Sequence, residues 1–222
     1  MSYRRVIGSP FSGGRGSLAW RLTQLLLGLF LFGIAIALMI RASLGISPWD
    51  CLAQGISLIS GLSFGLVNNL IGGAVLLVWI PLRQRLGVGC VLNVMLVGPS
   101  ADFGLNLIPP QTNLLVQILC FVAGVVLLAF ATGLYIGARF GPGPRDGLMT
   151  GLHARTGWPI WGVRGGLEII VLGVGWLLGG NAGIGTLVFA AVIGPLVNLF
   201  MPMLRTPGIE PSGRRPRLIP SA

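Results

Sequence analysis

The sequence predicts an all-α membrane protein, with six transmembrane helices as two inverted three-helix repeats, each carrying a short interfacial or re-entrant helix. Three observations predict it. The 222 residues are 54% hydrophobic and only 9% charged, whereas soluble domains carry roughly a quarter charged residues. Their apolar residues fall in blocks of about 20, the length that crosses roughly 30 Å of hydrocarbon, without the alternation of a membrane β-strand. Displacing the sequence by 96 positions aligns 25–108 with 121–204 without a gap, and about a quarter of the aligned positions are identical. Each copy holds three spans, and an odd number of spans turns the second copy over in the bilayer.

Taken in order, residues 1–17 read as a basic, Gly/Ser-rich cytoplasmic tail. The apolar run after them is too long for a signal-peptide core and has no small-x-small cleavage site, so it reads as a retained first helix. The first repeat covers 18–110, with spans at Leu18–Ile40, Phe64–Leu82 and Val88–Ile108. A second repeat covers 111–205, with spans at Leu114–Ile136, Ile160–Leu178 and Ile184–Leu204. Pro109-Pro110 and Gly179-Gly180-Asn181 supply turn chemistry between spans. Residues 206–222 read as a basic, disordered cytoplasmic tail.

All 15 basic residues are arginine, and the net charge is +10. With the N-terminus cytoplasmic, 14 of the 15 fall on that side and only Arg41 falls outside, a strong positive-inside signal. It predicts a multi-pass membrane protein with both termini cytoplasmic. A soluble protein this basic would suggest nucleic acid. Here membrane orientation explains the arginines, and no nucleic-acid partner is expected.

The two long connections contain the motif that the duplication repeats. "SLGISPWDCLAQG" carries Gly45, Pro48, Asp50, Leu52 and Gly55, and "RFGPGPRDGLMTG" carries Gly141, Pro144, Asp146, Leu148 and Gly151 at matching places. Each reads as a helix start. Ser47 is the N-cap, Pro48 the first helical residue and Asp50 a first-turn carboxylate. Gly143, Pro144 and Asp146 repeat this with a weaker cap, and Gly45 and Gly141 allow close backbone approach. The helices that follow end near Gly61 and Gly157 and are too short to span. Two readings stay open. The motif caps an interfacial helix, or both helices dip inward so that their positive starts and carboxylates line a central site.

On the second reading, Asp50 and Asp146 bind a proton, a cation or a basic group. Arg145 pairs with Asp146 or contacts an anion. Arg164 and Glu168 form an i,i+4 pair, and ionisable groups inside a bilayer mark functional sites. Asp102, near the end of the third span, reads as reaching the interface, and Asn93 and Asn198 read as bonding helix to helix. No catalytic residue, cofactor or metal site is expected. The chain has no lysine, and His153 is its one histidine. Cys51, Cys90 and Cys120 are scattered and read as small hydrophobes.

"SLGISPWDCLAQGIS", "GPGPRDGLMTGL", "WGVRGGLEIIVLGVGWLLGG" and "GIGTLVFAAVIGP" together resemble the bacterial YczE membrane proteins, in the broader YczE/YyaS/YitT grouping. The resemblance runs from about 20 to 204. It implies an integral inner-membrane protein and supplies no substrate, cofactor or catalytic residue. The expected function is a small inverted-repeat permease of a small molecule or ion. The alternative is a non-transporting scaffold or accessory factor for a membrane or cytoplasmic protein partner. The lipid bilayer is a partner on either reading.

Overall fold

The computed structural model describes residues 17–206 apart from Arg83, Arg85 and Pro142. Nearly all of the expected N-terminal tail and the expected C-terminal tail after Thr206 lie outside the described residues. Among the described residues the chain is helical throughout: α1 (Leu18–Ala42), α2 (Pro48–Ser60), α3 (Phe64–Leu82), α4 (Val88–Leu107), α5 (Leu114–Gly137), α6 (Pro144–Thr156), α7 (Ile160–Leu177) and α8 (Ile184–Leu204). Six of these are long and apolar enough to cross a membrane, and α2 and α6, at 13 residues each, are not.

The expected helix starts hold, and several show their physical reason. The Ser17 hydroxyl caps α1 by accepting from the Trp20 N–H, and Ser43 closes the helix in a left-handed conformation. Proline opens both α2 and α6, where a missing N–H costs nothing, and both end on a left-handed glycine, Gly61 or Gly157. The starts of α2, α3 and α4 recur in α6, α7 and α8 after the same 96-residue displacement. So does an unusual backbone setting just before α2 and α6. Gly45 and Gly141 hold φ at +123° and +120°, a region that glycine enters without steric cost.

α1 and α5 form the centre. Leu25, Leu29, Ile36 and Met39 are fully buried there. Between helices in lipid there is little hydrophobic drive, so contact must come from close packing over small residues. Gly28 lies against Ala131, Leu134 and Tyr135, and Gly124 lies against Ala35, Leu38 and Met39. Each set is the other displaced by 96 positions. α4 packs on α1 as α8 packs on α5, and α2 packs on α7 as α6 packs on α3. Two cross-repeat hydrogen bonds show the same reciprocity: the Gly185 N–H donates to the Leu44 carbonyl at 2.8 Å, and the Gly89 N–H to the Phe140 carbonyl at 3.1 Å.

Polar side chains tie the helix ends together. Arg21 donates to the Ala138 and Arg139 carbonyls and lies over the Phe140 ring. Gln24 donates to the Leu134 and Leu204 carbonyls and accepts from the Thr206 hydroxyl. The start of α1 and the end of α8 therefore share one end of the bundle. Arg41, at the far end of α1, donates to the Leu105 carbonyl.

One pairing breaks the reciprocity. α3 and α4 pack face to face, whereas α7 and α8 share no comparable face. Gly65 and Gly98 make the α3–α4 crossing, where a Cβ on either would collide with the other's backbone. Asp102 seals it by accepting from the Gly65 N–H at 2.7 Å. It thus bridges two helices. Gly194, the counterpart of Gly98, and Gly165 and Gly166 on α7 have open space beside them.

Candidate functional site

The starts of α2 and α6 converge. Ser47 accepts from the Asp50 N–H at 3.3 Å and donates its hydroxyl proton to the Asp50 carboxylate. The other Asp50 oxygen accepts from Arg145 at 3.2 Å. Arg145 sits on α6, so this ion pair joins the two copies of the motif. The same guanidinium donates to Asn68 on α3 at 3.2 Å and lies 5.4 Å from the Trp49 ring centroid. Asp50 is enclosed, with its side chain 2% exposed. Arg145 and Ser47 meet the demand that a buried carboxylate be paired and hydrogen-bonded.

Both motifs face one cavity of about 430 Å³. Ser47, Pro48, Asp50, Gly143, Pro144, Arg145, Asp146, Arg164 and Glu168, all singled out from sequence, line it. Gly45 and Gly141 do not; they shape the approach to the helix starts, and Gly45 lies against the backbone of Gly183 and Thr186. Arg164 and Glu168 form the expected pair along α7 at 3.0 Å. Arg145 bonds to Asp50 of the other repeat, and not to its neighbour Asp146. Asn93 and Asn198, expected to link helices, line the cavity too.

Asp146 is the carboxylate left over. Among the described residues it has no ion-pair partner within 4 Å, and it is exposed and lines the cavity. The Arg164 and Arg145 guanidinium groups and the Tyr135 hydroxyl lie near its carboxylate.

Sequence reasoning missed Tyr135, Thr132, Trp49 and Trp79. The first three line the cavity. The Trp79 indole N–H donates to the Pro144 carbonyl at 3.0 Å, and its ring fills the space where a Cβ on Gly147 would sit. Aromatic and hydroxyl residues are common in membrane spans, so only one signal was available: Gly147 follows the Pro-Arg-Asp of the motif, where a tight approach was foreseeable.

A family model described as "Family of unknown function (DUF6198)" matches residues 19–202. The chain is 40% identical over 177 residues to a Haemophilus influenzae protein named only as uncharacterized, covering 80% of this chain and 81% of that one. It is 34% identical over 188 residues to the Bacillus subtilis uncharacterized membrane protein YczE, covering 83% and 87%. To YyaS of Bacillus subtilis it is 27% identical over 182 residues, covering 80% and 90%. No solved structure matches the chain.

Proposed function

We propose that this chain, which belongs to the DUF6198 family and is a YczE-like membrane protein, is a small permease that carries a small solute across the bilayer. One observation carries the reading. Two aspartate-bearing helix starts, 96 positions apart, open onto one cavity and are joined there by Asp50 and Arg145. A pair of capped interfacial helices has no need of such a cavity.

The reciprocal glycine contacts support an inverted arrangement, in which a pseudo-two-fold axis lies in the membrane plane between α1 and α5. α2 and α6 are then re-entrant half-helices entering from opposite faces, with their starts near the midplane. Non-spanning backbone at that depth is tolerated where it lines a wet cavity. The arginine distribution orients the chain in the inner membrane with both ends cytoplasmic. The residues facing the cavity suit binding and release rather than catalysis.

Proteoliposomes incubated with an isotopically labelled metabolite extract under an imposed proton gradient test this. The protein should concentrate at least one labelled small solute that empty liposomes do not, and Arg145→Ala should abolish it. If none accumulates under either gradient polarity, the reading fails and a non-transporting accessory role replaces it.

A further inference from the structure

The cavity's charges select among solutes. Asp50, Asp146 and Glu168 face Arg145 and Arg164, so one carboxylate is in excess. Two of the three are already matched, Asp50 with Arg145 and Glu168 with Arg164. The helix starts do not invite an anion either, because each carries its own first-turn carboxylate where an anion would otherwise sit. Asp146 is the one cavity carboxylate without an ion-pair partner within 4 Å among the described residues.

A second group points to a ligand. Asn68 is 8% exposed and lines the cavity. Its carbonyl oxygen is taken by Arg145, and its amide nitrogen donates to no partner among the described residues. An oxygen on a bound solute would meet that donor. The Thr132 hydroxyl spends its proton on the Leu128 carbonyl, so its lone pairs are acceptors for an N–H.

Resting on the permease reading, we infer that the solute is a small organic ammonium cation bearing a hydroxyl or carbonyl oxygen, bound at the Asp146 carboxylate in exchange for a proton. The exchange balances. The Asp146 O–H bond breaks and its proton leaves to water. The ammonium N–H bonds to the carboxylate, and the charge of the cavity is unchanged. The titratable and charged groups around Asp146 are Arg145 on α6, Arg164 and Glu168 on α7, Tyr135 on α5, Cys90 on α4 and Asp50 on α2.

Three probes of equal length separate charge from size: 4-hydroxybutylammonium, 4-hydroxybutyrate and 1,4-butanediol. Binding to the purified full chain in nanodiscs is read by thermal shift and tryptophan fluorescence. The cation alone should bind, at least tenfold more weakly at pH 5 than at pH 8. Asp146→Asn should remove both the binding and its pH dependence. Asp102→Asn, which deletes a carboxylate outside the cavity, should change neither. No binding of the cation, equal binding of the three, a flat pH profile in the unmodified chain, or full binding by Asp146→Asn overturns the inference. The labelled-extract experiment separates the two claims. An accumulated anion or neutral solute leaves the permease standing and removes the cation. Asp146-dependent ammonium binding with no accumulation leaves the site standing and removes the permease.

Discussion

The α3–α4 seam and the α7–α8 seam come from the same duplicated unit, and they differ. In the first, Gly65 and Gly98 bring the backbones together and Asp102 bridges the helices. In the second, Gly194 keeps its place but faces open space, Trp161 stands where Gly65 does, and Asn198 stands where Asp102 does. Arg164, Glu168, Gly194 and Asn198 all line the cavity. One side of the site is sealed and the other is not. Matched helix boundaries therefore do not dictate matched packing. A few side chains at the crossing decide which seam closes.

The largest effect should come from the buried ion pair that joins the halves. Arg145→Ala leaves Asp50 enclosed without its counter-charge and should cost about 3–5 kcal/mol, read as a loss of thermal stability in nanodiscs. Asp50→Asn should rescue part of it, since no buried charge then remains; failure to rescue would mean Arg145 acts through packing alone.

Next come the seams themselves. Gly98→Ala should destabilise by about 1–3 kcal/mol through overpacking, because its Cβ meets the Gly65 backbone and Asn69. Gly194→Ala, with nothing in its way, should be near neutral. Equal costs for the two would erase the distinction between sealed and open. The same contrast sharpens with thiols: in a chain cleared of its own cysteines, Gly194→Cys should react with a maleimide and Gly98→Cys should not.

An effect of similar size is expected at the bridge. Asp102→Ala removes one hydrogen bond across α3 and α4, worth about 1–3 kcal/mol if the Gly65 N–H is left unmatched, and should raise maleimide labelling along that seam. Asn198→Ala should leave stability unchanged. Smallest is Arg164→Gln. Its side chain is 55% exposed, and a pair so open to solvent is worth about 0–1 kcal/mol. A loss as large as that of Arg145→Ala would place Arg164 in the buried framework instead.

Much of the fold was legible because membrane spans are read from length and apolarity alone. Pro48 and Pro144, with a carboxylate two residues on, marked the short helices to the residue. Nine of the eleven candidate residues line one cavity because the duplication itself pointed to the motif. What escaped were choices between equal partners. Arg145 can reach either aspartate on paper, and Asp102 can face a headgroup or a neighbouring N–H. Tyr135, Thr132 and Trp79 look like ordinary span residues until the helices around them are placed.

By itself, the sequence determined the helices, their short interruptions and the repetition that links them, because hydropathy, capping and proline act over one or two turns of chain. Only the tertiary structure decided that Asp50 takes Arg145, that Asp146 has no ion-pair partner among the described residues, and that one seam closes while its twin stays open. Those outcomes depend on distances between residues about a hundred positions apart, and such distances are set by how glycine surfaces and ring volumes pack across the repeats.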